Sequence, residues 1–366
     1  MRPIIIAAGG TGGHLSPAEA VAAEFSARGE RVILMTDARS MTATENFPCE
    51  ERIILSGAGL AGRGIFRAAK GGAAMIAGVA QAARVMRAQK PAAVVGFGGY
   101  PSVAPVIAAR LFMPGWPVPV ILHEQNAVLG RANRLLSRGQ ATLALTYAGT
   151  TRIPVNAYTV VTGNPVRSAI AALSAQPYPD ATGRLRLLVT GGSLGAGVFS
   201  RLIPAAVALL PTDILARLDL AQQVRPEDMD SVREHYQALG LTPELAPFFA
   251  DMPQRLAGAH LVIARAGAST CAELACAGRP AILVPLPGAI DDHQSANAAA
   301  LAVGGGAIVA AQGVLTPDAL AAHLVALLGD PGRLAAMAAA EQAMGCPDAA
   351  RLLADTVQTA VREEVG

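Results

Sequence analysis

One local unit occurs twice in this 366-residue chain, and it restricts the fold more than any other feature. Near the start, the apolar run Ile4-Ile5-Ile6-Ala7-Ala8 enters Gly9-Gly10-Thr11-Gly12-Gly13-His14 and then a helical stretch from Pro17 towards Arg28. Midway, Arg186-Leu187-Leu188-Val189-Thr190 enters Gly191-Gly192-Ser193-Leu194-Gly195-Ala196 and another apolar helix reaching towards Leu210. A strand, a glycine turn and a helix in that order open a βαβ unit. Further apolar runs at Arg31–Met35, Ala92–Val95, Val118–Leu122, Leu261–Ala264 and Ala281–Val284 each lead into a loop and a helix, with little polar alternation. Such strands are covered on both faces, which predicts parallel sheets. The chain is also long enough for two domains of roughly 150–200 residues. We therefore predict an α/β chain with two Rossmann-like domains: residues 1–163, then 164–335 after a linker near Gly163-Asn164-Pro165, then helices in 336–366 that return to the first domain.

Composition raises the question of membrane contact, because 52% of residues are hydrophobic and only 15% charged. The long uncharged stretch Pro91–Ala109 contains Gly96, Gly98, Gly99, Pro101 and Pro105, so it reads as strand, loop and helix start rather than as a membrane span. The apolar run after Met1-Arg2 is too short for a signal peptide, which predicts a cytoplasmic protein. Cys49, Cys271, Cys276 and Cys346 form no CxxC pair and have no histidine at metal-ligand spacing, so reduced, mostly buried thiols and no metal site are expected. The net charge of +2 hides an asymmetry: residues 1–163 carry 16 Lys+Arg against 8 Asp+Glu, and residues 164–366 carry 13 against 19. Between Arg52 and Pro179 the only acid is Glu124. A half of that kind is drawn to anionic surfaces, although any single arginine in it is as well explained by a solvated face.

The chemistry is expected at the ends of the strands. A glycine turn before a helix exposes backbone N–H groups and the positive end of the helix dipole, which suits phosphate. The first loop fails the dinucleotide pattern, since Leu15 stands at the third glycine position and only Asp37 follows as an acid; the second loop lacks the lysine of a P-loop. No nicotinamide cofactor is expected. His14 is a candidate general base or phosphate partner. The loop Gly96-Phe97-Gly98-Gly99-Tyr100-Pro101-Ser102 permits close approach of backbone to a ligand, and His123-Glu124-Gln125-Asn126 places four polar side chains at the end of an apolar strand. In the second half, Ala266 to Thr270 start a helix with small residues, and Glu273 either accepts the paired hydroxyls of a ribose or simply stabilises that helix's dipole. Asp291-Asp292-His293-Gln294-Ser295-Ala296-Asn297 offers groups suited to sugar hydroxyls, and the two aspartates read as helix caps before they read as a metal pair.

Together these segments resemble the MurG family, the peptidoglycan glycosyltransferases of family 28 that add N-acetylglucosamine to lipid I to make lipid II. The three glycine loops, His123 to Asn126, and Thr162-Gly163-Asn164-Pro165-Val166-Arg167 carry the likeness, which runs from residue 4 towards residue 310. The resemblance implies a GT-B fold, two Rossmann-like domains facing across a cleft, with no cofactor. It implies inversion, the C4 hydroxyl of the acceptor sugar attacking the anomeric carbon of UDP-GlcNAc. It places Thr11, Gly12, Gly13, Asn126, Arg167, Ser193, Phe249, Ala268, Ser269, Thr270, Glu273, Gln294 and Asn297 around the donor, Phe249 through its backbone. Gly98, Gly99, Tyr100 and Ser102 lie on the acceptor side, and His14 or Glu124 is the base. Ser269 and Cys271, and the segment Gly288-Ala289-Ile290, depart from the family's pattern locally.

A polyprenyl diphosphate acceptor implies a peripheral protein on the cytoplasmic face of the bacterial inner membrane, bound to its anionic lipids, with no nucleic-acid partner. Arg63, Phe66, Arg67, Lys70 and Trp116 are the candidate membrane-facing residues, with Ile65, Met75 and Ile76 beside them as membrane surface or ordinary core. Two other readings share parts of the pattern: a UDP-GlcNAc 2-epimerase, which needs no acceptor, and a peripheral membrane module that binds a nucleotide sugar without turnover.

Overall fold

The computed structural model describes residues 2–10, 12–56, 65–113, 117–192 and 195–364, with only the backbone described at 12 and 65–70. The chain forms two compact units, residues 1–167 with 348–366, and residues 168–347.

The first unit holds strands β1 (Ile4–Ala7), β2 (Val32–Thr36), β3 (Glu51–Ile54), β4 (Ala93–Gly96), β5 (Val120–Glu124), β6 (Thr142–Leu145) and β7 (Tyr158–Val161). They form one sheet in the order β3-β2-β1-β4-β5-β6-β7, every pairing parallel. Its helices are α1 (Gly12–Ala27), α2 (Ile65–Gln89), α3 (Gly99–Leu111) and α4 (Arg131–Leu136). Alternation along β1 divides the core: Ile5 joins Val79, Met86 and Val106 on one face, while Ile4 and Ile6 join Val21, Phe25, Leu353 and Val357 on the other. Leu353 and Val357 come from the last helix of the chain, Ala349–Glu363, which packs on α1. Arg28 pins that contact, donating to Asp355 at 2.7 Å and to Gln358 at 2.8 Å. The preceding helix, Pro331–Met344, stays with the second unit, so the return to the first unit begins past residue 347 rather than at 336.

The second unit repeats the plan. Strands β8 (Leu185–Thr190), β9 (Leu218–Gln223), β10 (Glu244–Ala246), β11 (Leu261–Ala264), β12 (Ala281–Leu283) and β13 (Ala307–Val309) form a parallel sheet in the order β10-β9-β8-β11-β12-β13. Its helices are α5 (Ser168–Ala171), α6 (Gly197–Val207), α7 (Thr212–Leu215), α8 (Met229–Ala238), α9 (Met252–Gly258), α10 (Ala268–Ala277), α11 (His293–Ala302), α12 (Pro317–Leu328) and α13 (Pro331–Met344), and the returning helix is α14. In both sheets the strand order reverses beside the first strand, and parallel sheets bind ligands at that reversal.

Arg279 shows how the second unit closes its helix ends. Its side chain is buried and donates to the carbonyls of Leu256 and Ala257, which end α9, and to that of Gly278. Leu256 O also accepts from Ala259 N at 3.3 Å, and the last carbonyls of a helix otherwise lack the partner that one more turn would supply. Arg279→Met is expected to cost about 3 kcal/mol of stability, because it strips charged donors from several buried acceptors. A shift of the denaturation midpoint measures the loss, and an unchanged midpoint would refute this account.

Candidate active site

In the first unit the site forms where β1, β4 and β5 end. Gly9 is required there, since a Cβ would lie 2.8 Å from Thr36 Oγ1 and 2.9 Å from Pro101 Cγ. Gly10, at φ +88°, donates its N–H to Ser40 Oγ at 2.8 Å, and Ser40 in turn donates to Asp37 at 2.8 Å. Asp37 is buried and also paired with Arg39, so the one acid at dinucleotide spacing supports the glycine loop and does not face a ribose. Thr11 lies outside the described residues. Helix α1 begins at Gly12, not at Pro17, which carries His14 in its first turn.

His14 is half-buried, and its ring stands over the backbone of Gly98 and Gly99. Both glycines have positive φ, +82° and +69°, and a Cβ at either would sit about 3.5 Å from the imidazole. Next to them Tyr100 is exposed. Ser102 is fully buried, its hydroxyl within 2.9 Å of the carbonyls of Ala7 and Gly98. This corrects the expectation that Ser102 meets the acceptor: it ties β1 to the start of α3.

Strand β5 runs two residues further than its apolar stretch, so His123 and Glu124 are buried strand residues. Glu124 Oε1 accepts from Asn126 N and Asn126 Nδ2, both at 3.0 Å; Oε2 accepts from Gly130 N at 2.8 Å and Asn133 Nδ2 at 3.0 Å. Four donors match the acceptor capacity of a carboxylate. Its observed work is to hold the loop 126–133 against the sheet. His123 Nε2 lies 3.0 Å from Gly163 O, and burial pushes its pKa down to about 4, so its ring is neutral. Asn126 and Arg167 are half-buried at the end of β5 and the close of the unit.

The second unit builds its site at the same place in the sheet. Gly191 has no room for a side chain against Gly195 and Ala196, and Gly192 and Gly195 take φ of +76° and +65°. Ser193 lies outside the described residues. Gln223, at the end of β9, accepts from Thr190 Oγ1 and Gly191 N and donates to Gly192 O and Pro247 O. The motif reading missed this glutamine; its only signal is a polar pair ending an apolar strand. Phe249, two residues beyond Pro247, is buried beneath the Arg255 guanidinium at 3.9 Å, so only its backbone is on offer.

Helix α10 starts at Ala268, and Ser269, Thr270 and Glu273 share its half-exposed side at helical spacing. Gln294 Oε1 accepts from Leu286 N at 2.9 Å, leaving its Nε2 to donate elsewhere. Asn297 is completely buried and donates to Ala266 O at 3.1 Å. This corrects the expectation that it reads a sugar: it fixes the loop before α10. Asp292 accepts from Ser295 Oγ at the start of α11, and among the described residues there is no group of His, Cys, Asp and Glu that would hold a metal. Arg201, Arg225, Arg265 and Gln312 line a cavity of about 510 Å³ beside the α6 N-terminus, and sequence motifs did not single out the first two. Arg265 itself is spent on Val284 O, Pro285 O and Gln312 Oε1.

The proposed membrane residues are partly outside this description: Arg63 and Trp116 lie outside the described residues, as do the side chains of Ile65, Phe66, Arg67 and Lys70. Of their neighbours, Ile76 is 72% exposed, whereas Met75 packs on the core. No helix among the described residues is long and apolar enough to cross a membrane.

Two Rossmann-type units with phosphate-suited glycine loops and a polar β5 end are the parts of a nucleotide-sugar glycosyltransferase. The chain matches the glycosyltransferase family 28 N-terminal domain over residues 4–144 and the C-terminal domain of the same family over residues 186–353. It belongs to glycosyltransferase family 28. It is 55% identical over 98% of its length, and 93% of the other chain, to the UDP-N-acetylglucosamine–N-acetylmuramyl-(pentapeptide) pyrophosphoryl-undecaprenol N-acetylglucosamine transferase of Granulibacter bethesdensis. It is 50% identical to the protein of the same name from Acidiphilium cryptum over all of this chain and 98% of that one. Among solved structures it is similar to Acinetobacter baumannii MurG, with a TM-score of 0.78 at 31% identity, covering 98% of this chain and all of the other. A UDP-GlcNAc 2-epimerase from Neisseria meningitidis matches at 13% identity and a TM-score of 0.68 over 98% of this chain and all of that one, a likeness of fold alone.

Proposed function

We propose that this chain transfers GlcNAc from UDP-GlcNAc to the C4 hydroxyl of the MurNAc sugar of lipid I, with inversion, giving lipid II and UDP. The carrying observation is the near full-length identity to transferases of that name. In this reading the first unit takes the acceptor and the second the donor. The acceptor oxygen attacks the anomeric carbon as the bond to UDP breaks, and His14 takes the hydroxyl proton. His14 is preferred to Glu124 because it is half-exposed, whereas the Glu124 carboxylate is saturated by four donors. The leaving diphosphate is held by backbone N–H groups of the glycine loop and by Arg167, and the ribose by Glu273. Gln294 reads the GlcNAc hydroxyls through its remaining donor.

We place the protein at the cytoplasmic face of the inner membrane, bound peripherally through the basic first unit, where Ile76, Leu111 and Phe112 are exposed apolar residues. UDP release measured with and without a lipid I analogue tests the reaction. Release that does not depend on acceptor would replace this reading by an epimerase, and no release at all would replace it by a binding module. Glu273→Ala is expected to raise the donor KM roughly 10- to 100-fold with kcat little changed, the loss of a charged hydrogen-bond acceptor made in ground and transition states alike. An unaltered donor KM would return Glu273 to helix-dipole duty.

A further inference from the structure

His14 can serve as a base only through a ring nitrogen that carries a lone pair towards the substrate. An isolated imidazole distributes its proton between Nδ1 and Nε2. The hydrogen bonds behind His14 remove that freedom. Gln125 Nε2 lies 3.0 Å from Phe97 O and 3.3 Å from His123 O. Carbonyls only accept, so the amide nitrogen, not its oxygen, must face them. The same nitrogen lies 3.1 Å from His123 Nδ1, and His123 Nε2 lies 3.0 Å from Gly163 O. That carbonyl takes the Nε2 proton, which leaves Nδ1 of the neutral ring to accept. The two protons of the Gln125 amide are then shared among three acceptors, Phe97 O, His123 Nδ1 and the more distant His123 O, and none is left over. The remaining atom, Oε1, is 3.1 Å from His14 Nδ1 and can only accept. His14 Nδ1 must therefore donate, and Nε2 is left with the lone pair.

We propose that Gln125 is a positioning residue: with His123 behind it, it fixes His14 in the Nδ1–H tautomer and presents Nε2 as the base. The inference rests on the reading of His14 as the base, but the tautomer itself follows from backbone carbonyls at both ends of the chain of bonds. Gln125 is 1% exposed and His123 0%, so water does not replace either partner. The arrangement plays the part that an orienting carboxylate plays behind other catalytic histidines, with a neutral amide in its place. A neutral partner holds the ring without stabilising imidazolium ahead of proton transfer.

The test uses the full-length protein with 15N-labelled histidine, lipid I analogue and UDP-GlcNAc. In the parent, the His14 nitrogen shifts should report a protonated Nδ1 and an unprotonated Nε2. Gln125→Met should mix the tautomers and lower kcat about 10- to 100-fold, with donor KM unchanged, a smaller loss than removal of the base itself. Gln125→Glu keeps an acceptor for Nδ1–H, so the tautomer should return; its second oxygen faces the carbonyls of Phe97 and His123 and must be protonated to donate there, so the acid limb of the kcat profile should stay where it is in the parent. A melting curve and donor binding report whether each variant is folded, and Gln125→Glu alone still tests the idea if Gln125→Met is not. A protonated Nε2 in the parent, or an unchanged tautomer and kcat in folded Gln125→Met, would overturn the proposal. Full activity in His14→Gln, together with the expected tautomer signature in the parent, would instead overturn the base and leave the positioning intact.

Discussion

His14→Gln is expected to lower kcat for GlcNAc transfer roughly 10²- to 10⁴-fold, the usual contribution of a positioned general base, while the donor KM stays within about twofold. Glutamine fills a similar volume but offers no basic nitrogen. Its donor affinity should survive because the groups proposed for ribose and sugar, Glu273 and Gln294, lie on α10 and α11 of the second unit. Glu124→Gln provides the contrast. It replaces one of the two acceptor oxygens by a donor opposite Asn126, Gly130 or Asn133. Its expected effect is on the order of the 126–133 loop, seen as faster hydrogen exchange there, together with a fall in kcat. The discriminating measurement is the pH dependence of kcat/KM: the limb reporting an essential base should vanish in His14→Gln and persist in Glu124→Gln. A limb that persists in His14→Gln and disappears in Glu124→Gln would exchange the roles.

A second large effect is expected on the buried side of α10, where no ligand group is proposed. Glu341 on α13 is completely buried, and neither carboxyl oxygen has a hydrogen-bond partner. It packs against Gly306, where a side chain would collide with it, and the nearby titratable group is the buried Cys271 thiol. Burial raises its pKa from 4.5 to about 8. The protonated form therefore favours the fold. Below pH 4.5 the unfolded chain is protonated as well, and ionisation costs nothing. Between 4.5 and 8 the unfolded chain releases the proton while the native one keeps it, so stability falls by about 1.4 kcal/mol per pH unit. Above 8 both states are ionised and the full penalty persists. Glu341→Met, of similar volume and without charge, should therefore be stabilising by roughly 4 kcal/mol at pH 8 and by far less at pH 5. Denaturation midpoints of the two proteins at both pH values measure this, and a difference that does not grow with pH would mean that the carboxyl finds a partner.

Of the four thiols expected to be mostly buried, two are, and Cys49 and Cys346 are half-buried. Cys271 and Cys276 are buried, burial raising the Cys276 pKa to about 11 and that of Cys271 further, and all four cysteines are free. Apolar continuity identified β1, β2, β4, β5, β8, β11 and β12, because central parallel strands are buried on both faces and have no need of polar residues. The strands it missed lie towards the sheet edges or, like β6 and β9, carry polar residues among the apolar ones. β7, Tyr158–Val161, is largely exposed and carries no such run. Boundaries shifted where residues outside the apolar pattern continued an element: His123 and Glu124 complete β5, and Gly12 and Gly13 begin α1.

Sequence alone determined the repeated strand, glycine loop and helix, the two parallel sheets, the family, and the short list of polar residues at strand ends. Those features are local: spacing of apolar residues and the backbone freedom of glycine act within a few positions and can be read along the chain. Tertiary structure decided what each polar residue does. Ser102, Asp37 and Asn297 stand in the motifs beside the candidate ligand residues, yet each is turned to a buried backbone or side-chain partner. Gln125 and Gln223 drew no role from the motifs and prove to hold both glycine-loop regions. The partner of a buried hydrogen-bonding group is set by distance in space and by the high cost of leaving that group unpaired. His14 meets Gln125 across 111 positions of sequence, and no pattern within either segment announces that contact.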